Sequence, residues 1–324
     1  MPGAPAEIGF TRDDGHRGMA VRSRTGGGVR SEPSPAARAL QMEEMMQKRT
    51  IRLGHSPDPD DAFMFYGLAT GKVDSGQWEF EHVLQDIQTL NERATRGELE
   101  VTAISIHAYP YVADRYALTN CGSSMGDGYG PMVVTREPMS TRDLAGKRIA
   151  VPGTMTTAFL ALNLLLGKGN FQHEVVMFDQ IIGRVAAGEF DAGLIIHEGQ
   201  LTYHNQKLHC VVDLGAWWQD ETGYPLPLGG NAVRRDLGPE AMRELSDIVR
   251  RSVQFSLDHR AEAVEHAMQY ARDMGKDLAD RFVRMYVNKW TIDYGETGRA
   301  AVQELLDRGH QAGLVPKVGP IDFV

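Results

Sequence analysis

A histidine stands where a buried strand is predicted to end. Residues 191–203 have the sequence DAGLIIHEGQLTY, in which positions 192–196 are apolar or glycine. Such a run is typical of a strand buried on both faces. His197 and Glu198 follow it without a turn signal. Because the ordinary pKa of an imidazole, about 6.5, suits proton transfer near neutral pH, His197 is a candidate general base. The alternative is a histidine that ends a strand and hydrogen-bonds a neighbouring loop.

Three acidic residues cluster near the start of the ordered sequence. Asp58, Asp60 and Asp61 lie in the segment LGHSPDPDDAFMF, residues 53–65. Carboxylate oxygens are ligands that a hard cation such as Ca²⁺ or Mg²⁺ prefers. They also suit the first turn of a helix, where they accept backbone N–H bonds and complement the dipole. We favour the helix start, since all three acids lie in one short stretch and no remote ligand accompanies them. No metal site is predicted.

Hydroxyl side chains also occur at the start of a predicted helix and at the end of a predicted strand. Thr156 and Thr157 begin the predicted helix TTAFLALNLLL, and Ser105 ends the predicted strand VTAIS. Threonine at a helix start caps backbone N–H groups, and the same groups bind anions such as carboxylates. His107, two residues after Ser105, is interpreted as structural. Ser105 and the threonines are therefore candidates for binding an acidic ligand.

Two adjacent tryptophans, Trp217 and Trp218, precede the segment Pro-Leu-Pro at 225–227. We predict that they lie in a loop after a strand. They are expected either to pack in the core under that loop or to form an aromatic wall for a flat ligand.

The elements that position these residues alternate between strand and helix from Thr50 onward. This alternation predicts an α/β protein with mainly parallel sheets. Helices are predicted to begin at Asp86, Asp179 and Pro239. The last ninety residues are mostly helical, and these helices must pack their apolar faces against a sheet. We therefore predict two domains joined by two chain crossings, with a cleft at the carboxyl ends of the strands. The larger domain comprises 49–134 and 228–324, the smaller one 135–227, and residues 1–48 form a disordered extension.

Composition excludes several classes of protein. The chain has 324 residues and a formal net charge of -9, which argues against a nucleic-acid binder. No run approaches the ~18 apolar residues of a membrane span. Cys121 and Cys210 are too few for a disulfide framework, so a cytoplasmic location is expected. No hydrophobic leader is apparent in the first fifty residues.

Four segments together resemble a known family. They are LGHSPDPDDAFMFYGL at 53–68, VPGTMTTAFLAL at 151–162, GLIIHEGQLTY at 193–203 and VVDLGAWWQDETGYPLPLGG at 211–230. In this order they are similar to 1,4-dihydroxy-6-naphthoate synthases of the futalosine pathway of menaquinone biosynthesis. The resemblance extends from Thr50 to Val324. It implies a type II periplasmic-binding-protein-like fold, in which two α/β domains enclose a ligand in a cleft.

The resemblance also implies an activity. Family members are lyases that convert cyclic dehypoxanthine futalosine to 1,4-dihydroxy-6-naphthoate and release dihydroxyacetone, without a metal or redox cofactor. Here His197 matches the catalytic base of the family. The substrate-binding positions that match are Ala103, Ile104, Ser105, Thr156, Thr157 and Ala158. A small-molecule substrate is the expected partner; no oligomeric state is predicted.

The chain departs from the family pattern at three positions. Asp58 and Asp60 replace a cysteine and an asparagine found in some members, and Ala103 stands where members can carry a lysine. These changes put the role of the loop at 56–61, and a charge contact to the ligand, in question. Two alternatives remain at this stage. One is the chorismate dehydratase of the same pathway and fold, and the other is a solute-binding protein without catalysis. The GLIIHE motif favours the naphthoate synthase.

Overall fold

The computed structural model describes residues 48–271 and 275–324. The predicted N-terminal extension at 1–48 lies outside these residues, apart from Lys48. Within the described ranges, no helix has both the length and the apolar character needed to cross a membrane.

The first sheet contains strands from both ends of the described chain. These are β1 (Arg49–His55), β2 (Trp78–Leu84), β3 (Val101–Ser105), β4 (Tyr116–Leu118), β5 (Ser124–Gly126) and β11 (Leu226–Arg234). The order is β2-β1-β3-β11-β4, and β5 also pairs with β11. β1 is parallel to β2 and β3, whereas β11 is antiparallel to β3, β4 and β5.

The second sheet contains the intervening strands. They are β6 (Met132–Thr135), β7 (Arg148–Val151), β8 (Gln172–Val175), β9 (Ala192–Ile195) and β10 (His209–Asp213), in the order β10-β6-β9-β7-β8. β7 is parallel to β8 and β9, and β6 is antiparallel to β9 and β10. The chain therefore passes to this sheet after β5 and returns after β10. The domain boundaries at 135 and 228 stay a prediction.

Helices cover both sheets and connect their strands. They are α1 (Pro59–Met64), α2 (Tyr66–Ala69), α3 (Ile87–Thr95), α4 (Thr157–Leu166), α5 (Ile181–Ala186), α6 (Gly199–Thr202), α7 (Leu214–Thr222), α8 (Pro239–Asp258), α9 (Arg260–Ala267), α10 (Lys276–Tyr286), α11 (Lys289–Ile292) and α12 (Gly295–Gln311). As predicted, Asp86 caps α3 by accepting a bond from Thr89 N at 3.1 Å, and Pro239 occupies the first turn of α8.

The C-terminal helices cover the first sheet, as the sequence predicted. Helix α8 buries one apolar face along its whole length, and this face belongs to the same cluster as the buried side chains of β1, β2 and β3. The members of that face are Met242, Leu245, Val249 and Val253. At about 25 cal/mol per Å² of apolar surface, a face of this size is a main source of folding free energy for the first sheet.

Three local predictions are wrong. The sheets are mixed, because β6, β10 and β11, the strands next to the two crossings, run antiparallel to their neighbours. Trp217 and Trp218 lie in helix α7, which Asp213 caps by accepting bonds from Gly215 N and Ala216 N at 2.9 and 3.1 Å. Helix α5 begins at Ile181, so Asp179 does not cap it.

Candidate active site

A cavity with about 120 Å³ of space for the centres of water molecules lies where β3 and β11 of the first sheet face helix α4 and the end of β9. Its wall contains all seven residues predicted to form the site, namely Ala103, Ile104, Ser105, Thr156, Thr157, Ala158 and His197. The carboxyl ends of strands and a helix start thus meet at one cleft, which is where α/β folds bind ligands.

His197 reaches the cavity from the centre of the second sheet. All residues of β9 are buried, and Gly193 leaves room there for Ile181, whose Cγ2 is 2.6 Å from the place of a Cβ at position 193. His197 has φ of 57°, a left-handed conformation that non-glycine residues adopt at some cost. Its ring packs edge-on against Phe178 at 4.5 Å. The backbone therefore turns sharply at the strand end and holds the imidazole in the cleft wall.

Asp58 is the hydrogen-bond partner of this imidazole. Nδ1 of His197 lies 2.9 Å from Oδ2 of Asp58, and the side chains are 14% and 1% exposed. Nε2 of His197 is buried and has no hydrogen-bond partner within the described residues. The ring nitrogen on which a substrate proton can be placed is thus Nε2.

Asp58 lies at a helix start, as predicted, but its side chain does not cap the helix. Asp58 is the N-cap residue of α1, and Asp60 and Asp61 lie in the first turn. The Asp58 carboxylate makes no capping bond; it instead accepts a hydrogen bond from the Ser56 hydroxyl. Asp61 accepts a bond from Ser56 N at 2.6 Å. The loop before α1 is therefore arranged around two carboxylates, one of which contacts the histidine.

Burial and mutual repulsion change the proton affinities of these groups. Burial lowers the pKa of His197, but the Asp58 carboxylate, with Glu198 and Asp60, outweighs it and raises the pKa to about 9. Burial and the charge of Asp58 raise the pKa of Asp60 to about 7. Burial and the charge of Asp60 raise the pKa of Asp61 well above its ordinary value. Near neutral pH the cleft thus holds an imidazolium beside carboxyl groups that bind protons.

Ser105 occupies the opposite wall at the end of β3. Asn91 of helix α3 fixes it, donating from Nδ2 to Ser105 Oγ at 3.0 Å and accepting from Ser105 N at 2.8 Å. The Ser105 hydroxyl keeps its own proton for a further acceptor. The side chain is 3% exposed and lines the cavity, which is the arrangement of an oriented donor.

The hydroxyls at the start of α4 are already used within the protein. Thr156 Oγ1 donates to Gly153 O at 2.9 Å and accepts from Phe159 N at 3.2 Å. Thr157 Oγ1 donates to Leu228 O at 2.6 Å and accepts from His107 N at 3.1 Å. The donors left at this helix start are therefore the backbone N–H groups of Thr157 and Ala158.

The aromatic part of the wall comes from a helix that the sequence did not single out. Phe282 and Tyr286 of α10 line the cavity, and the Tyr286 hydroxyl donates to Gln200 Oε1 at 2.6 Å. Trp218 is fully buried in the core, and neither it nor Trp217 belongs to the wall formed by the described residues. The tryptophan wall expected as one alternative from the sequence is therefore wrong, because Trp218 belongs to the buried core and Trp217 packs against the same core.

Asp58, Asp60 and Asp61 are the carboxylates whose oxygens could suit a hard cation. Within residues 48–271 and 275–324, no group of three or more His, Cys, Asp or Glu side chains has an arrangement that would hold one. The carboxylates of Asp58 and Asp61 instead accept hydrogen bonds from Ser56.

Comparison with known proteins places the chain in a family. A family model described as menaquinone biosynthesis matches residues 51–311. A Thermus thermophilus protein named 1,4-dihydroxy-6-naphtoate synthase is 44% identical over 264 residues, covering 82% of this chain and 95% of the relative. A Streptomyces coelicolor protein of the same name is 41% identical over 279 residues, covering 85% and 98%.

Solved structures agree with this fold. A crystal structure of a protein from Archaeoglobus fulgidus is similar with a TM-score of 0.78 and 47% identity, covering 82% of this chain and 98% of that one. A Candida albicans protein described as having the generic periplasmic binding protein structural fold has a TM-score of 0.64 at 15% identity, covering 84% and 92%. The two-domain α/β fold expected from the sequence is thereby confirmed. With the match over residues 51–311 and 44% identity to a curated relative, the chain belongs to the menaquinone biosynthesis family.

Proposed function

We propose that this chain is a lyase that converts cyclic dehypoxanthine futalosine to 1,4-dihydroxy-6-naphthoate and releases dihydroxyacetone, with His197 as general base. Two relatives named for this product, at 44% and 41% identity, support the choice of reaction. The observation in the cleft that supports it best is His197 itself. Its ring lines the cavity, Nδ1 is bonded to Asp58, and Nε2 is left for a substrate proton.

The reaction needs a base because protons must move while a carbon–carbon bond breaks and a ring becomes aromatic. Such proton transfer typically contributes about 10²–10⁴-fold to a rate. Only the neutral imidazole accepts a proton. Since the pKa of His197 is raised to about 9, the basic form increases with pH through this value, and its basicity is high when it forms.

The substrate carboxylate is proposed to lie between Ser105 and the start of α4. Ser105 offers its hydroxyl, and Thr157 and Ala158 offer backbone N–H groups near the positive end of the helix dipole. No lysine or arginine lines this cavity within the described residues. The imidazolium of His197 and protonated Asp60 and Asp61 would make this acidic cleft acceptable to an anion.

The carboxylate site has its own test. An analogue in which the carboxylate is replaced by a neutral amide should bind about ten- to a hundredfold more weakly, and Ser105→Ala should reduce the difference between acid and amide. Equal affinity for the acid and the amide would show that the carboxylate binds elsewhere. The reaction is further proposed to take place in the cytoplasm, where the exposed free thiol of Cys210 is compatible with a reducing environment.

The decisive experiment supplies the purified protein with cyclic dehypoxanthine futalosine and, separately, with chorismate. We expect 1,4-dihydroxy-6-naphthoate from the first, detected by mass spectrometry, and no reaction of the second. Dehydration of chorismate would instead identify the sister enzyme of the same pathway. Binding of either compound without turnover would favour a solute-binding protein and would overturn the proposal.

A further inference from the structure

Two side chains from opposite walls of the cleft meet in one buried contact. Asp58 precedes α1, which packs with the first sheet, and His197 follows β9 of the second sheet. Their Oδ2 and Nδ1 atoms are 2.9 Å apart, and Asp58 is 1% exposed. A buried carboxylate bonded to one nitrogen of a histidine determines which tautomer the ring adopts and where the other nitrogen points.

The chain around Asp58 keeps its carboxylate in this place. Pro59 occupies the first position of α1 and fixes the backbone directly after Asp58. The Ser56 hydroxyl donates to the same oxygen, Oδ2, that contacts His197. Since Asp61 accepts the bond from Ser56 N, the loop is held from both sides. Contacts within the protein thus orient Asp58 toward the imidazole.

His197 needs such a partner. Its φ of 57° places the residue in the left-handed region, which costs about 1 kcal/mol or more for a side chain with a Cβ. The ring contacts Phe178 edge-on, a contact that does not select one tautomer. The bond to Asp58 is what distinguishes Nδ1 from Nε2.

We propose that Asp58 is the positioning residue of the base: it holds His197 with the proton on Nδ1 and leaves Nε2 as the atom that accepts the substrate proton. This inference rests on the proposed function for its catalytic consequence, but the geometry of the pair stands independently. Losing such a carboxylate would allow the other tautomer, in which Nε2 already carries a proton and is no base.

Other titratable groups also face His197. Asp60 and Asp61 line the cavity from α1, and Tyr286 lines it from α10. Glu198 follows in the chain, and Asp179 shares with it a second cavity that His197 also lines. Among these, Asp60 is the matched comparison for Asp58. It is the same kind of group at the same helix start, but within the described part of the chain it makes no hydrogen bond to the imidazole.

The test measures the ring nitrogens directly. In ¹⁵N-histidine-labelled protein, the signals of His197 are assigned as those lost in His197→Gln, and their shifts are followed with pH. We expect the neutral ring of the wild type to be protonated on Nδ1. In Asp58→Asn the titration midpoint of His197 should fall by about 1–3 pH units, which is the typical effect of losing an opposite charge in direct contact. In Asp60→Asn the fall should be smaller than in Asp58→Asn.

A midpoint in Asp58→Asn that is unchanged, or lowered no more than in Asp60→Asn, overturns the proposal. Asp58→Ser, which removes the carboxylate in a smaller residue, gives the same discrimination if Asp58→Asn does not fold by circular dichroism. These spectra need no turnover. They therefore decide the Asp58–His197 pair even if the wild type makes no product, an outcome that would contradict only the proposed function.

Kinetics then test the catalytic role. For Asp58→Asn we expect kcat to fall about 10²-fold or more with little change in KM, and the rising limb of kcat/KM to move to lower pH together with the NMR midpoint. A purely structural role would lower the amount of folded enzyme without moving this limb. A limb that stays in place while the NMR midpoint moves would show that Asp58 does not act through the base.

Discussion

At the scale of single residues, the site combines a group that sequence could predict with one that it could not. His197 follows a short apolar run, so its place at a strand end is a local property of the sequence. Its partner, Asp58, is the N-cap residue of helix α1, which packs with the first sheet. The local pattern around Asp58 is that of a helix start, and this is correct for the backbone. No local pattern indicates that its carboxylate turns toward an imidazole so distant in the chain.

The first prediction concerns His197→Ala. We expect kcat to fall about 10²–10⁴-fold, since the general base is lost, while substrate binding and fold are retained. Wild-type kcat/KM should rise with pH through about 9, because the neutral imidazole is the active form. Steady-state assays between pH 6 and 10 measure both. His204→Ala, at an exposed histidine, is the control and should behave as the wild type. A His197→Ala enzyme with near-normal kcat would remove this residue from the mechanism.

At the scale of elements, periodicity and caps predicted most helices and strands, whereas pairing direction depended on the path of the chain. The Asp86 cap and the apolar face of α8 are encoded within one turn or one helix. The antiparallel entry of β6 and β11 depends on where the chain crosses between sheets, which no local pattern records. Helix α7 was not predicted, because the prolines after it are typical of a loop, although Asp213 and Gly223 are ordinary helix-end residues.

The second prediction concerns the contact between α7 and the first crossing. A Cβ at Gly215 would lie 1.9 Å from Tyr129 O and 2.6 Å from Gly130 N, which are backbone atoms that cannot rotate away. Gly215→Ala should therefore lower the free energy of unfolding by about 1–3 kcal/mol or prevent folding. Denaturant unfolding measures the change.

Gly183→Ala is the matched control within helix α5. Among the described residues, no atom outside the adjacent residues and the helix's own backbone lies within 4 Å of its Cβ position, and its backbone is helical. Alanine should therefore raise the free energy of unfolding by about 0.5–1 kcal/mol, because it loses less conformational entropy on folding than glycine. Similar stability of the two variants would contradict the close approach at Gly215.

The third prediction concerns the Thr157 hydroxyl, which joins α4 to β11 and to the segment after β3. Thr157→Val keeps the shape of the side chain but leaves Leu228 O and His107 N without this partner. We expect the free energy of unfolding to fall by about 1–3 kcal/mol. Thr50→Val, at an exposed strand position, should change it by less than about 0.5 kcal/mol. Equal stability of the two variants in urea would show that the hydroxyl is not structural.

At the scale of the whole molecule, the fold concentrates acidic groups in the cleft. The net charge of -9 is a property of the composition, but composition does not indicate where the charges meet. Asp58, Asp60 and Asp61 share the cavity wall with His197, and no lysine or arginine joins them there among the described residues. The fold brings them together because α1 and β9 end at the same cleft. Such a cluster costs stability at pH values where its carboxyl groups ionise.

The fourth prediction is the pH dependence of this cost. The pKa of Asp60 is raised from 3.8 to about 7, so the folded state binds this proton more tightly than the unfolded chain. The contribution of Asp60 to the free energy of unfolding should therefore fall as pH rises from about 4 to about 7. The pKa of His197 is raised from 6.5 to about 9, so its contribution is complete below about 6.5 and is lost as pH rises through about 9. Both effects have the same sign, but buried His55, whose pKa burial lowers to about 3, acts in the opposite direction below about pH 6.5. The free energy of unfolding should therefore decrease from about pH 6.5 to pH 9.

Asp60→Asn isolates the carboxyl part of this slope. We expect the variant to be more stable than the wild type at pH 8 by about 1–3 kcal/mol, a range that allows for screening by solvent in the cleft. The gain should be smaller at pH 5, where the wild-type group is still protonated when folded. Urea unfolding at the two pH values measures the difference, with Asp220→Asn on the exposed face of α7 as the control. A gain that is the same at pH 5 and pH 8 would show that the Asp60 carboxyl does not titrate near neutral pH.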